Sequence, residues 1–116
     1  MSSADLKELV SLNEFRIKML MELVDPDDKP FAYHVLKGEL SETQYMEIMD
    51  LMQSISEKIQ EGRTPINHQE FEMRVYEIAP QHDGDHHYVE GIVSTLNEEG
   101  RFQTVYEHMK HSGMNI

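Results

Sequence analysis

Cysteine and tryptophan are both absent from this chain of 116 residues. Without cysteine there is no disulfide, no thiolate nucleophile, and no cysteine-ligated zinc or iron–sulfur centre. Positive charge is scarce. Ten Lys and Arg face 22 Asp and Glu, leaving a net charge of −12 with the histidines neutral. The ten are scattered singly among acids, so the basic patch that phosphate backbones and anionic membranes require is missing. Nucleic acid and membrane surfaces are therefore not expected partners. No apolar run approaches the roughly 20 residues that span a bilayer. No cationic segment followed by an apolar stretch suggests a secretory leader. The expected location is cytoplasmic. The chain also lacks H-E-x-x-H, a phosphate loop, a dinucleotide fingerprint and a nucleophile elbow, so catalysis is not expected.

What is present is helical period. We read an all-α single domain over residues 1–116, a compact array of five to six helices with no alternating strand pattern. The first helix is expected over 4–24, capped by Ser2 or Ser3. Residues 25–29 form a turn, because Pro26 and Pro30 forbid continuation and the aspartates suit it. The remaining helices fill 30–111. A short one runs from Pro30 to Lys37, ended by Gly38. "LSETQY" starts the next, with Ser41 and Gln44 as a capping box and Leu40 stapled to Tyr45. Its apolar stripe includes Ile48, Met49, Met52 and Ile55 and it ends at about Glu61, with Gly62 beyond it. Asn67 and Glu70 repeat the capping device for a fourth helix running to Ala79, where Pro80 stops it. A fifth is expected from His86 to Glu98, pointing Val89, Ile92, Val93 and Leu96 inward. A sixth carries Phe102, Val105, Tyr106 and Met109. Residues 112–116 are expected to fray.

The first helix is too apolar for one buried stripe. Leu9, Leu12, Phe15, Met19 and Leu23 mark one face, expected to pack on the chain's own domain. Leu6, Val10, Asn13, Ile17, Leu20 and Val24 mark an adjoining heptad seam, with β-branched residues at a, leucine at d, and one asparagine of the kind that fixes register. The seam predicts a coiled-coil-like interface between copies, and hence a homo-oligomer.

The order of "DKPF" (Asp28–Phe31), "KGELSETQ" (Lys37–Gln44) and "LNEEGRF" (Leu96–Phe102) resembles the YhaI-like family, small helical proteins of Bacillus-type bacteria. The resemblance covers the chain from about Leu6 to Met109. It implies a small cytoplasmic helical protein that self-associates, and it supplies no catalytic residue and no cofactor. The histidine-rich stretch is not part of it.

That stretch, "APQHDGDHHYVEGI", concentrates three of the seven histidines in six residues. Imidazoles and carboxylates together suit divalent transition metals. The spacing offers His82, Asp83, His86 and Glu90 as candidate ligands, with His86 and Glu90 four apart on one helix face. A metal-binding protein or metal-dependent enzyme is thus the alternative to a non-catalytic interaction or regulatory module. The simpler account is a capped linker: Pro80 ends a helix, Gly84 turns the chain, and Asp85 caps the next helix. His86 and His87 are then exposed polar residues at a helix start. The last two helices also permit a helix–turn–helix reading through Arg101, Gln103, Thr104, His108 and Lys110, which the surrounding acid opposes.

Overall fold

The computed structural model describes residues 2–116 and is helical throughout. Helices α1 (Ser3–Leu23), α2 (Pro30–Lys37), α3 (Glu42–Gln60), α4 (His68–Ile78), α5 (His86–Glu98) and α6 (Gln103–Ser112) follow in order, with a 3-10 turn at Pro80–His82. No strand occurs among the described residues.

The helix starts are set by local chemistry. Three reciprocal capping boxes form, at Ser2 with Asp5, Ser41 with Gln44, and Asn67 with Glu70. In the last, the Glu70 N–H donates to Asn67 Oδ1 at 2.8 Å and the Asn67 N–H donates to Glu70 Oε1 at 3.3 Å. Each box satisfies two amides that helix geometry leaves without a partner. Lys29 begins α2 without a side-chain cap. Instead the Phe31 N–H donates to Glu99 Oε2 at 2.8 Å, so the carboxylate at the end of α5 caps α2 from 68 residues away.

Helix α5 is the centre of the body. Tyr88, Val89, Ile92, Val93 and Leu96 are buried along it, and it packs against α2, α4 and α6. Ile48, Met52 and Ile55 of α3, Phe71 and Val75 of α4, and Val105 and Met109 of α6 complete the core. Among the described residues no polar side chain is buried, and no buried polar atom lacks a partner.

Three expectations need correction. The tail does not fray. Gly113 takes φ 114°, and the Met114 N–H returns to the Met109 carbonyl at 3.0 Å, closing α6 in the manner of a Schellman motif. Met114 thereby lies in the core, 5% exposed, and Ser112 Oγ accepts the His68 N–H at 2.9 Å. Gly38 ends α2 but not by adopting a left-handed conformation, since its φ is −82°. The positive φ falls on Glu39, at 55°. Glycine at 38 answers a need for space, because a Cβ there would overlap the Tyr88 ring and hydroxyl.

The third correction concerns α1. The face expected to pack on its own domain does not. Helix α1 buries no residue; Met19, Met21 and Val24 are half-buried and every other described residue of the segment is exposed. Its C-terminal half shares a groove with α2, between Ile17 and Met21 on one side and Val35 and Leu40 on the other. The rest projects. The radius of gyration is 16.6 Å, whereas a globular chain of this length has about 13 Å. The physical reason is that α2–α6 close their core among themselves, with no residue of α1 contributing to it.

Candidate functional site: the uncovered first helix and the histidine turn

Helix α1 carries eight large apolar side chains that are 42% to 82% exposed: Leu6, Leu9, Val10, Leu12, Phe15, Ile17, Leu20 and Leu23. At about 100° per residue, seven of these, with Met19 and Met21 at the edges, sweep an arc of about 200°, and Phe15 lies just beyond the Met19 edge. Asp5, Asn13 and Arg16 are the polar residues inside it. The opposite stripe is Lys7, Ser11, Glu14, Lys18 and Glu22. A helix that packs on one surface needs an apolar stripe about 100° wide, so α1 carries roughly twice that and fully buries none of it within the chain. The seam residues Leu6, Val10, Asn13, Ile17 and Leu20 are all exposed, and Val24 is half-buried. Monomeric proteins seldom leave a contiguous apolar patch of this kind in water.

The histidine turn divides into two groups. His82 belongs to a stack. Its ring lies 3.6 Å from the Tyr88 ring, 4° from parallel, and His34 of α2 covers the other face of Tyr88 at 4.2 Å and 17°. Both imidazoles are tied to backbone. His82 Nε2 donates to the Gly38 carbonyl at 2.6 Å, and His34 Nε2 donates to the Tyr88 carbonyl at 2.9 Å. A carbonyl only accepts, so the proton of each ring sits on Nε2. The stack joins the end of α2, the 3-10 turn and the start of α5. Burial, with the Asp85 charge adding to it, pushes the Tyr88 phenol up to about 12. Burial also holds His34 below the ordinary histidine value, against the opposing hydrogen bond to Tyr88.

His86, His87 and Glu90 form the other group. One ligand atom from each lies within 4.8 Å of the others. His87 Nδ1 is 3.4 Å from Glu90 Oε2, and the His86 and His87 rings are 4.4 Å apart and tilted by 42°. Of the four candidate ligands, the fold therefore brings together His86 and Glu90. His87, which spacing assigned to the exposed helix start, joins them, while His82 and Asp83 stay outside the group. Asp85 caps α5 by accepting the Tyr88 N–H at 3.1 Å.

The remaining histidines are engaged elsewhere. His68 Nδ1 is 3.1 Å from Ser112 Oγ, His108 Nε2 donates to the Ile66 carbonyl at 2.9 Å, and His111 Nδ1 donates to the Glu107 carbonyl at 2.7 Å. Arg101, a candidate for nucleic-acid contact, lies over the Phe31 ring and pairs with Glu99. Among the described residues no helix is long and apolar enough to cross a membrane. No family model, curated protein or solved structure matches the chain.

Proposed function

We propose that the protein is a non-catalytic, self-associating interaction module of the cytoplasm, assembled through α1 of several copies. The observation that carries this reading is the uncovered apolar arc on a helix that buries nothing against its own chain. A second copy is the simplest cover, because an identical apolar helix is always available at the same concentration. Magnitudes support it. Fully burying a large apolar side chain contributes about 1.5–3 kcal/mol, so covering eight that are roughly half exposed contributes on the order of 6–12 kcal/mol per chain. An assembly that covers all eight on every copy gains this amount per chain, against a cost of about 4–15 kcal/mol for each association step. The heptad seam gives the contact a register, and the resemblance to the YhaI-like family, which we propose as the chain's affiliation, implies self-association as well.

The test is the mass in solution, by light scattering or sedimentation. The wild type is expected at a multiple of the chain mass. Replacing Ile17 and Leu20 together with Glu is expected to give a monomer whose helical body stays folded, since neither residue contributes to the core. A wild type that remains monomeric at high concentration defeats the reading.

A further inference from the structure

We infer that His86, His87 and Glu90 form a binding site for a divalent late first-row cation, with zinc the simplest occupant. Three donors converge within one turn of one helix, at i, i+1 and i+4, with one ligand atom of each within 4.8 Å of the others. The His87 Nδ1 to Glu90 Oε2 separation of 3.4 Å matches the edge of a tetrahedron with bonds of about 2.1 Å, which is also about 3.4 Å. Glu90 is the fixed member, with its side chain 15% exposed. His86 and His87 are exposed, so their rings rotate between staggered positions at little cost and close the remaining distance.

Two further observations select this turn. His34, His68, His82, His108 and His111 are each within hydrogen-bonding distance of a carbonyl or hydroxyl oxygen. His86 and His87 have no such bond among the described residues, and the contact of His87 with Glu90 lies inside the donor set itself. The local charge also suits a cation. A helix start carries roughly half a positive charge, but Asp85 already accepts an amide there, and Asp83 and Glu90 add full negative charges to a chain of net −12. Two imidazoles and one carboxylate form a donor set for zinc, nickel, copper or iron(II), and the exposed side of the turn leaves the other coordination positions to water. Magnesium and calcium prefer oxygen donors alone and are not expected to compete. The three ligands lie within one chain, so the inference is independent of assembly through α1.

The experiment is calorimetric titration of the full chain with zinc chloride. One ion per chain is expected to bind with micromolar affinity, with no heat from magnesium. Glu90→Gln is expected to weaken binding by about 10-fold or more, His86→Gln with His87→Gln to abolish it, and His111→Gln to leave it unchanged. Circular dichroism establishes that each variant remains folded. Substoichiometric copper(II) added to the wild type should broaden the imidazole resonances of His86 and His87 first, an outcome that needs no variant. No saturable zinc uptake, uptake unchanged in the double variant, or broadening that begins at His68 or His111 overturns the site.

Discussion

Tyr88 is clamped between two imidazoles, and the clamp fixes the identity of residues that never touch a ligand. Gly38 leaves room for the Tyr88 hydroxyl, and Gly91 leaves room for the His34 ring, which an added Cβ would overlap. Neither ring swings aside freely, because Tyr88 is stacked between two imidazoles and His34 is both stacked and hydrogen-bonded. Gly38→Ala and Gly91→Ala are therefore each expected to cost about 1–3 kcal/mol, the usual range for overpacking, measured by urea unfolding at fixed protein concentration. His34 makes the clamp sensitive to acid. Burial lowers its folded-state pKa from 6.5, and the nearby His82 and Lys37 act in the same direction, while Tyr88's carbonyl and Asp85 oppose them. The folded state thus binds fewer protons at this site than the unfolded chain. Its contribution to stability is full above about pH 6.5 and is lost as pH falls through the lowered value. The expected result is a lower urea midpoint at about pH 5 than at about pH 7.5, with a shallower dependence for His34→Gln. None of this was legible in the sequence. The partners lie 44 and 54 residues apart, and periodicity carries no information about which ring meets which.

At the scale of the element, the sequence was informative wherever the deciding interaction was local. Capping boxes span three residues, so Ser41 with Gln44 and Asn67 with Glu70 announced α3 and α4, and the structure begins both helices there. The bounds of α2 and α5 agree with those read from Pro30, Gly38, Asp85 and Gly100. Asp85→Ala is expected to lower stability by about 0.5–2 kcal/mol through loss of the cap on α5. Replacing His86 and His87 with Gln in metal-free protein is expected to cost less, since exposed substitutions usually stay within about 0.5 kcal/mol. Thermal unfolding of the two variants side by side ranks them. The pattern failed where tertiary contact decides. A terminal pentapeptide with one methionine gives no periodic signal, so the anchoring of Met114 was missed. The trans cap of α2 by Glu99 was equally invisible. The apolar excess of α1 was plain in the sequence, but its failure to pack on its own domain was not, because that depends on whether α2–α6 close without it.

For the molecule as a whole, the width of the α1 arc bears on how many copies the proposed assembly would hold. β-branched residues at a and leucine at d favour two strands in a parallel coil. A two-stranded seam, however, would leave Leu9, Leu12 and Leu23 in water, on the far side of an arc of about 200°. Area decides over branching preference here, because the uncovered leucines are the larger loss. Three or more copies are expected, and the mass by sedimentation equilibrium checks it: a strict dimer at all concentrations contradicts the expectation. Salt-sensitive binding of DNA or RNA at near-physiological ionic strength is not expected from a surface of net charge −12.

The turn at residues 25–29 gives the projecting helix a further consequence. Helix α1 has 21 residues and is about 32 Å long. Pro26 and Pro30 restrict the joint that attaches the body to it. Copies gathered by their first helices would hold their bodies like heads on a common stalk, at short and repeated spacing. Any target contacting one body would then meet the next at high effective concentration, so contacts too weak to persist singly would be multiplied into avidity without any new interaction being made.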